Sequence, residues 1–231
     1  MAKLKENIQC YAHPLQREIL LSLSENETIG NSYFLTGGTA LSVFYLHHRT
    51  SIDLDLFTIK KAPMEDIYLW ITRRWGNESK RIHFNDFILQ MVIKDVKVDI
   101  VYDPISFDEK RERYYFNGHR SLAVDSIRNI ASNKLAAMVS RREVKDFLDF
   151  FFINKTIAGM DFDCIYKDAQ KKEGMFDDSP MVAYHLENNL NIIKENPYAF
   201  PDLLVDIDLD EFYRFYEGLV HWVYGRIRET I

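Results

Sequence analysis

Two stretches of the chain, LTGGTAL at residues 35–41 and RTSIDLDLF at residues 49–57, carry the pattern that decides the fold. Residues 31–36 predict a short strand that runs into Gly37-Gly38 of the first stretch, and a helical pattern follows over residues 39–47. Two glycines between a strand and a helix let the backbone approach a ligand closely, and the start of the helix offers free amide groups to an anion. A tight turn that needs a positive φ would explain the same glycines without a ligand.

The second stretch predicts a strand with two carboxylates on one face. From Ile52 to Phe57 apolar residues alternate with acids, and a period of two is typical of a strand. Asp53 and Asp55 then lie close enough to repel each other unless a divalent cation lies between them. Ligands that are all oxygen atoms suit magnesium. A solvated edge strand with two acids facing water is the alternative interpretation.

A third acid follows in a later strand. Two apolar runs, 87–93 and 96–101, are separated by Lys94-Asp95 and predict a β-hairpin, and Asp99 lies in the second run. Taken alone, Asp99 would be expected to point outward.

Together with the diglycine and the paired acids, Asp99 predicts nucleotidyl transfer. The first two acids would hold magnesium ions that clamp a nucleoside triphosphate, and the third would complete the metal site and help to deprotonate the attacking hydroxyl. The glycine amides would take the terminal phosphates.

These two stretches resemble the polymerase-beta-like nucleotidyltransferase superfamily and, within it, most resemble the AbiEii family. That family contains toxins of type IV toxin–antitoxin and phage-abortive systems. The similarity rests on GGTAL and RTSIDLDLF and extends over about residues 33–155. It implies an α/β (α+β) fold: a mixed sheet with flanking helices, followed by a helical C-terminal half. We expect a nucleotidyltransferase domain at residues 1–120 and a helical domain at residues 121–231 that completes the active-site cleft.

The helical pattern that begins at Asp125, a candidate N-cap, places two cations on an apolar helix face. Lys134 and Arg141 fall within the apolar stripe, where a cation is costly unless it meets an anion. The family is similar here too, with a lysine, an arginine and an acidic block that reads here as Asp146 and Asp149. The resemblance implies that Lys134 contacts phosphate, with Arg141 in the nucleotide-binding set, and that Asp146 belongs to the active site. An internal salt bridge among these four residues is the alternative.

Two further residues just before the carboxylates are candidates for phosphate binding. The planar fork of Arg49 suits a phosphate, although it would also pair with a neighbouring acid. The full predicted set consists of catalytic Asp53, Asp55, Asp99, Lys134 and Asp146; nucleotide-binding Gly37, Gly38, Thr39, Arg49, Ser51, Lys134 and Arg141; and metal-binding Asp53, Asp55 and Asp99. Adjacent His47 and His48 would point about 100° apart on a helix, which argues against a metal pair and for surface or helix-end positions.

Composition limits the class of protein. The 231 residues are 47% apolar and 28% charged, which excludes unpatterned disorder. No stretch approaches the roughly 18 consecutive apolar residues of a membrane span. The first residues lack the apolar run of a secretory signal, and two cysteines form neither a metal pattern nor a disulfide framework, so we expect a cytoplasmic protein.

Charge is distributed unevenly. The net charge of -6 argues against binding nucleic acid through bulk positive charge. Residues 1–155 contain 22 Lys and Arg against 20 Asp and Glu, whereas residues 156–231 contain 7 against 15. An anionic substrate is therefore expected to bind before about residue 155.

Three functions remain open on the sequence. The leading hypothesis is a toxin-like nucleotidyltransferase that uses two magnesium ions, or manganese in their place, to move a nucleoside monophosphate from a nucleoside triphosphate to a hydroxyl of an RNA such as tRNA. A cognate antitoxin would be its partner. The second hypothesis changes the acceptor to a small molecule of the aminoglycoside kind, which the acidic last third would attract. The third is a non-catalytic protein of the same fold that binds a nucleotide or a partner.

Overall fold

A computed structural model describes residues 4–116, 120–157, 159–196 and 200–226 of the chain. The chain divides into two compact units, Met1–Ile127 and Arg128–Ile231. Within the described ranges, no helix has both the length and the apolar character needed to cross a membrane.

The first unit is a sheet with helices. Its strands are β1 (Phe34–Thr36), β2 (Leu54–Thr58), β3 (Ser79–Phe84), β4 (Ile88–Ile93), β5 (Val96–Tyr102), β6 (Glu112–Tyr115) and β7 (Ser121–Val124). They form one mixed sheet in the order β3-β4-β5-β2-β1-β7-β6. Its helices are α1 (Leu15–Leu23), α2 (Glu27–Ser32), α3 (Gly37–Leu41) and α4 (Met64–Trp75), with a π-helical turn at Ser42–Leu46 and 3-10 turns at Ile8–Cys10 and Gly76–Glu78.

The centre of the sheet separates a buried face from a half-exposed face. β2 runs antiparallel to β1 and parallel to β5. Leu56 of β2 and Ile100 of β5 are directly opposed and fully buried. Because side chains alternate along a strand, the residues between the buried ones point to the other face. On the buried side, the ring of Tyr68 in α4 contacts that of Phe84 in β3, so α4 covers this face and leaves the opposite one for the candidate site.

The β4–β5 hairpin turns at the two residues that the sequence pattern identified. Lys94 has φ of 48° and Asp95 has φ of 67°, so both are left-handed. Turns with two left-handed residues match the twist of the flanking strands, which explains why a two-residue connection suffices without glycine. This turn fixes the register of β5 and therefore the position of Asp99.

The secondary-structure elements of the second unit in the described residues are helices and a 3-10 turn. Its helices are α5 (Ile127–Ser140), α6 (Val144–Thr156), α7 (Phe162–Gln170), α8 (Ser179–Glu195) and α9 (Leu209–Gly225), with a 3-10 turn at Gly174–Asp177. Phe147 and Phe150 of α6 are fully buried, and the ring of Phe147 packs on Tyr216 of α9. The Tyr216 hydroxyl donates to the carbonyl oxygen of Phe147. These phenylalanines belong to the hydrophobic core of the second unit.

The α/β class with a mixed sheet and following helices is confirmed. Two local predictions were wrong. The strand expected from Asn31 begins only at Phe34, because α2 extends through Ser32. Residues 121–124, assigned from the sequence to the helical half, form β7 and pair with β1 in the sheet.

Candidate active site

Two of the predicted carboxylates lie side by side on the half-exposed face. Asp55 of β2 is the direct partner of Asp99 in the parallel register with β5. Directly opposed residues share a face of the sheet, so both side chains point away from the buried side. Asp53 stands two residues before Asp55. The charges of all three acids act on Lys97, which places them in one electrostatic neighbourhood.

The diglycine lies directly against this group. Gly37 has φ of 68°, and a Cβ there would stand 2.3 Å from Oδ2 of Asp55. A Cβ on Gly38 would stand 2.5 Å from Nη2 of Arg49. The positive φ agrees with the tight-turn interpretation of Gly37, and the close approaches add a second requirement. Any side chain at these two positions would displace the carboxylate or the guanidinium.

Thr39 and Ser51 support the strand that carries the acids. The Thr39 hydroxyl donates to the main-chain oxygen of Asp53 at 2.5 Å, and the Thr39 and Ser51 hydroxyl oxygens are hydrogen-bonded at 2.9 Å. Arg49 is only 3% exposed, and its Nη1 donates to the carbonyl oxygen of Thr50 at 2.7 Å. The five predicted residues of the glycine turn and the arginine–serine segment are therefore brought together with Asp53 and Asp55.

A segment near the N-terminus, which no sequence pattern assigned to the site, holds Ser51 in place. The Ser51 amide donates to the carbonyl oxygen of Cys10 at 2.9 Å, and Nε2 of the fully buried Gln16 donates to the Ser51 carbonyl oxygen at 2.9 Å. Burial raises the pKa of the Cys10 thiol to about 11 against the opposing charge of Arg49, so the thiol stays protonated at neutral pH. The only sequence signal was a glutamine on the apolar face of α1.

Lys97 and Gln90 complete the acidic cluster, and neither was predicted. Nζ of Lys97 lies 3.0 Å from Oδ2 of Asp99, and Nε2 of Gln90 donates to the same oxygen at 3.1 Å. Burial lowers the pKa of Lys97, but the hydrogen bond and charge of Asp99, with the charges of Asp53 and Asp55, raise it overall. The signal was present in the sequence, since Lys97 precedes Asp99 by two residues and therefore shares its face.

The chemistry of this group fits a hard divalent cation. Oδ1 of Asp99 is buried and has no hydrogen-bond partner among the described residues. An unpartnered buried carboxylate oxygen is costly, and carboxylate oxygens are the ligands that magnesium takes. In the described ranges, at this site as elsewhere, no three side chains with carboxylate, imidazole or thiol groups are already arranged to hold one metal ion. A metal ion held by these acids would therefore require side-chain movement to complete its ligand sphere.

The remaining predicted residues form an ion-pair cluster of the second unit. Nζ of Lys134 lies 2.7 Å from Oδ1 of Asp146 and 2.6 Å from Oδ2 of Asp149. Nε of Arg141 lies 2.7 Å from Oδ2 of Asp146. Both carboxylates are fully buried. This is the internal salt bridge that the sequence left open as the alternative, and the catalytic and nucleotide-binding roles of these residues remain predictions.

Asp146 and Arg141 differ in their surroundings. Burial alone would raise the pKa of Asp146, but the charges and hydrogen bonds of Lys134 and Arg141 hold it below its ordinary value. The Arg141 side chain is 53% exposed, because Arg141 follows the end of α5 and does not continue its inward stripe as predicted. Lys134 alone occupies the inward position.

Two other residues singled out from the sequence lie elsewhere. Asp125 is fully buried and accepts hydrogen bonds from Oγ1 of Thr36 at 2.6 Å and Nε of Arg111 at 2.8 Å. It stands two residues before α5, which begins at Ile127, so it does not take the N-cap position predicted for it. His47 ends the π-helical turn with φ of 54°, as a helix-end residue does, whereas His48 is buried and is not a surface residue.

Residues 19–180 match the family described as the nucleotidyl transferase AbiEii toxin of type IV toxin–antitoxin systems. The chain belongs to the AbiEii family. It is therefore a nucleotidyltransferase of a toxin family, and membership implies a nucleotide substrate and a cognate antitoxin. An uncharacterized protein from Aquifex aeolicus (strain VF5) is 27% identical over 176 residues, which cover 73% of this chain and 80% of that protein.

Solved structures share the fold of this AbiEii protein. A candidate nucleotidyltransferase from H. pylori has a TM-score of 0.56 at 17% identity and covers 97% of this chain and 99% of its own. The nucleotidyltransferase toxin MenT4 from Mycobacterium tuberculosis H37Rv has a TM-score of 0.51 at 15% identity over 90% of this chain and 81% of its own. At these identities the likeness concerns the fold, and it agrees with the nucleotidyltransferase sheet that the sequence predicted.

Proposed function

We propose that this AbiEii protein transfers a nucleoside monophosphate from a nucleoside triphosphate to a hydroxyl group in a magnesium-dependent reaction centred on Asp53, Asp55 and Asp99. The observation that carries the proposal is the direct pairing of Asp55 with Asp99, with Gly37 against the Asp55 carboxylate. Separate segments of the chain converge there on a half-exposed face of a rigid sheet. A merely solvated edge strand would not bring a second acid and a left-handed glycine to the same carboxylate.

The carboxylates would hold the metal ions. Asp53 and Asp55 would share two magnesium ions, for which manganese would substitute, and Asp99 would supply a further oxygen. When bound, the ions neutralise charge on the triphosphate and orient it for attack. The acceptor hydroxyl oxygen forms a bond to the α-phosphorus, the bond from that phosphorus to the β-phosphate oxygen breaks, and pyrophosphate leaves. Asp99 would take the hydroxyl proton.

The glycine turn and Arg49 would bind the phosphates. Gly37 and Gly38 carry no side chain that would keep a phosphate from their amides, and Nη2 of Arg49 lies beside Gly38. Thr39 and Ser51 would act by positioning, because their hydroxyls are already bonded to each other. For Lys134, Arg141 and Asp146, nucleotide binding and catalysis rest on the family resemblance alone.

An RNA acceptor such as tRNA is favoured by basic side chains on the same face of the sheet. Lys80 and His83 of β3 pair with Val92 and Gln90 of β4, and Gln90 in turn pairs with Asp99. Directly opposed residues share a face, so two exposed basic side chains extend the face that carries the acids. A phosphate backbone would be attracted there. We place the reaction in the cytoplasm, where triphosphates and tRNA are available.

Transfer of label identifies both the reaction and the acceptor. The protein would be incubated with magnesium and each α-labelled nucleoside triphosphate, in the presence of total tRNA or of an aminoglycoside panel. Label on RNA is the expected result. Label on an aminoglycoside would move the acceptor to the small-molecule class, which the acidic last third of the chain favours. Absence of transfer to every acceptor, with all four triphosphates, would contradict the proposal.

A further inference from the structure

Lys97 occupies the position at the acidic cluster where a positive charge is most needed. Its ammonium lies 3.0 Å from Oδ2 of Asp99. Leu54 pairs with Val98 and Asp55 with Asp99 in parallel register, and continuing that register by one residue would bring Lys97 level with Asp53, which immediately precedes β2. One side chain of this protein therefore places a cation beside carboxylates that would otherwise repel each other.

We propose that Lys97 is an internal competitor of the divalent cation: its ammonium pairs with Asp99 in the metal-free protein and leaves Asp99 when metal binds. The inference rests on the proposed function, because it takes Asp99 as a metal ligand. The freed ammonium remains on the face that carries the acids. There it is available to the anionic triphosphate, so Lys97 serves as a positioning residue before metal binding and as a phosphate-binding residue afterwards.

The surroundings of Asp99 support an ion pair with Lys97 that a metal ion would displace. The two carboxylate oxygens of Asp99 differ in their hydrogen bonding. Oδ2 contacts both Lys97 and Gln90, whereas the buried Oδ1 has no hydrogen-bond partner among the described residues. A pair that served only structure would be expected to satisfy both oxygens. Gln90 is neutral and restrains Asp99 without competing electrostatically with a metal ion.

The Lys97 side chain is able to move. It is 42% exposed, in contrast to 14% for Asp99, and an ammonium on a four-carbon stem reorients without disturbing the backbone. By contrast, Arg49, the cation that the sequence predicted near the site, is 3% exposed. Lys97 is thus the mobile member of the pair and Asp99 the fixed one, as a displaceable counter-ion requires.

The affinity of the full-length protein for manganese tests this directly. Free Mn²⁺ would be titrated by electron paramagnetic resonance into the wild type, Lys97→Met and Lys60→Met. Lys60 is an exposed lysine beyond the far end of β2, so its removal controls for the change in net charge. We expect Lys97→Met to bind Mn²⁺ about tenfold more tightly than the wild type, since a positive charge next to a ligand is removed, and Lys60→Met to be unchanged. Equal or weaker binding by Lys97→Met would overturn the inference.

A second pair of measurements separates this inference from the proposed function. Lys97→Arg retains the positive charge and is expected to bind Mn²⁺ like the wild type. That result would show that the tighter binding of Lys97→Met comes from the lost charge and not from the changed shape of the side chain. At saturating Mn²⁺, the KM for the triphosphate should rise in Lys97→Met and stay constant in Lys60→Met. A wild type that binds no Mn²⁺, or binds it equally after Asp55→Asn, contradicts the proposed function itself. Normal binding by the wild type with no gain in Lys97→Met contradicts the inference alone.

Discussion

Asp55 and Asp99 are direct neighbours across the parallel strands β2 and β5. Between them the chain completes α4, β3 and β4, so the two carboxylates meet only after the sheet has formed. Parallel strands need a long crossover connection, and here that crossover also supplies Gln90, which holds Asp99. The sheet topology therefore brings Asp55 and Asp99 together. Substitutions that leave the sheet intact should change the rate of transfer and the stability of the protein independently.

Asp55→Asn should reduce nucleotidyl transfer by about a hundredfold or more, because a carboxylate at the reacting phosphate contributes several kcal/mol to the transition state. Asp95→Asn is the matched control. It makes the same chemical change at an exposed turn position with φ of 67°, which asparagine tolerates. Initial rates with α-labelled triphosphate, together with circular dichroism spectra of both variants, measure the effect. Transfer at the wild-type rate by a folded Asp55→Asn would remove this residue from the mechanism.

Gly37→Ala should destabilise the protein by about 1–3 kcal/mol and impair transfer, because alanine is strained at a positive φ and its Cβ would meet the Asp55 carboxylate. Gly218→Ala makes the same change in an exposed position of α9, where a Cβ meets nothing within 4 Å. It should stabilise by about 0.5–1 kcal/mol through helix propensity. Urea unfolding measures both changes. Equal effects of the two substitutions would mean that the glycine turn is not constrained as described.

Lys134→Met should lower the free energy of unfolding by about 3–5 kcal/mol, since it leaves the buried Asp146 and Asp149 without their common cation. Arg141→Met should cost about 1 kcal/mol or less, because the Arg141 side chain is 53% exposed and solvent screens its charge. Chemical denaturation of the two variants gives the comparison. A larger cost for Arg141→Met than for Lys134→Met would be inconsistent with this account of the cluster.

The contribution of Asp146 to stability should depend on pH with a definite sign. Its pKa lies below the ordinary value of 3.8 in the folded protein, since Lys134 and Arg141 outweigh the cost of burial. A group with a depressed pKa stabilises fully above its unfolded pKa and loses that contribution as pH falls through the folded one. The stability difference between the wild type and Asp146→Asn should thus be constant above about pH 5 and shrink below pH 3.8. Unfolding curves over this pH range measure this stability difference. A difference that increased as the pH fell would contradict the predicted sign.

Local patterns were sufficient for much of the fold. The hairpin of β4 and β5 was predictable because two apolar runs flank Lys94-Asp95. β6 and β7 were missed, since each has only four residues and therefore shows too little alternation. The whole of α2 was missed for a similar reason, because a helix of six residues running into a strand has no clear period.

Site residues were predictable where the chemistry of a single residue type indicated a role. They were not predictable where the role depends on a contact with another residue in the folded chain. Asp53, Asp55 and Asp99 stood out as acids in apolar strands. Gln16 and Lys97 did not, because their importance comes from contacts to Ser51 and Asp99 that only the folded chain makes. Lys97 shows the limit most clearly: alternation placed it on the correct face, but nothing in the sequence showed that its ammonium reaches a carboxylate.

The central claim is that Asp53, Asp55 and Asp99 serve one metal site. Anomalous diffraction from crystals grown with Mn²⁺ and a non-hydrolysable triphosphate measures this directly. The account predicts anomalous peaks between these three carboxylates, with the triphosphate against Gly37 and Gly38. Manganese bound at other residues while these three side chains point to separate surroundings would contradict it.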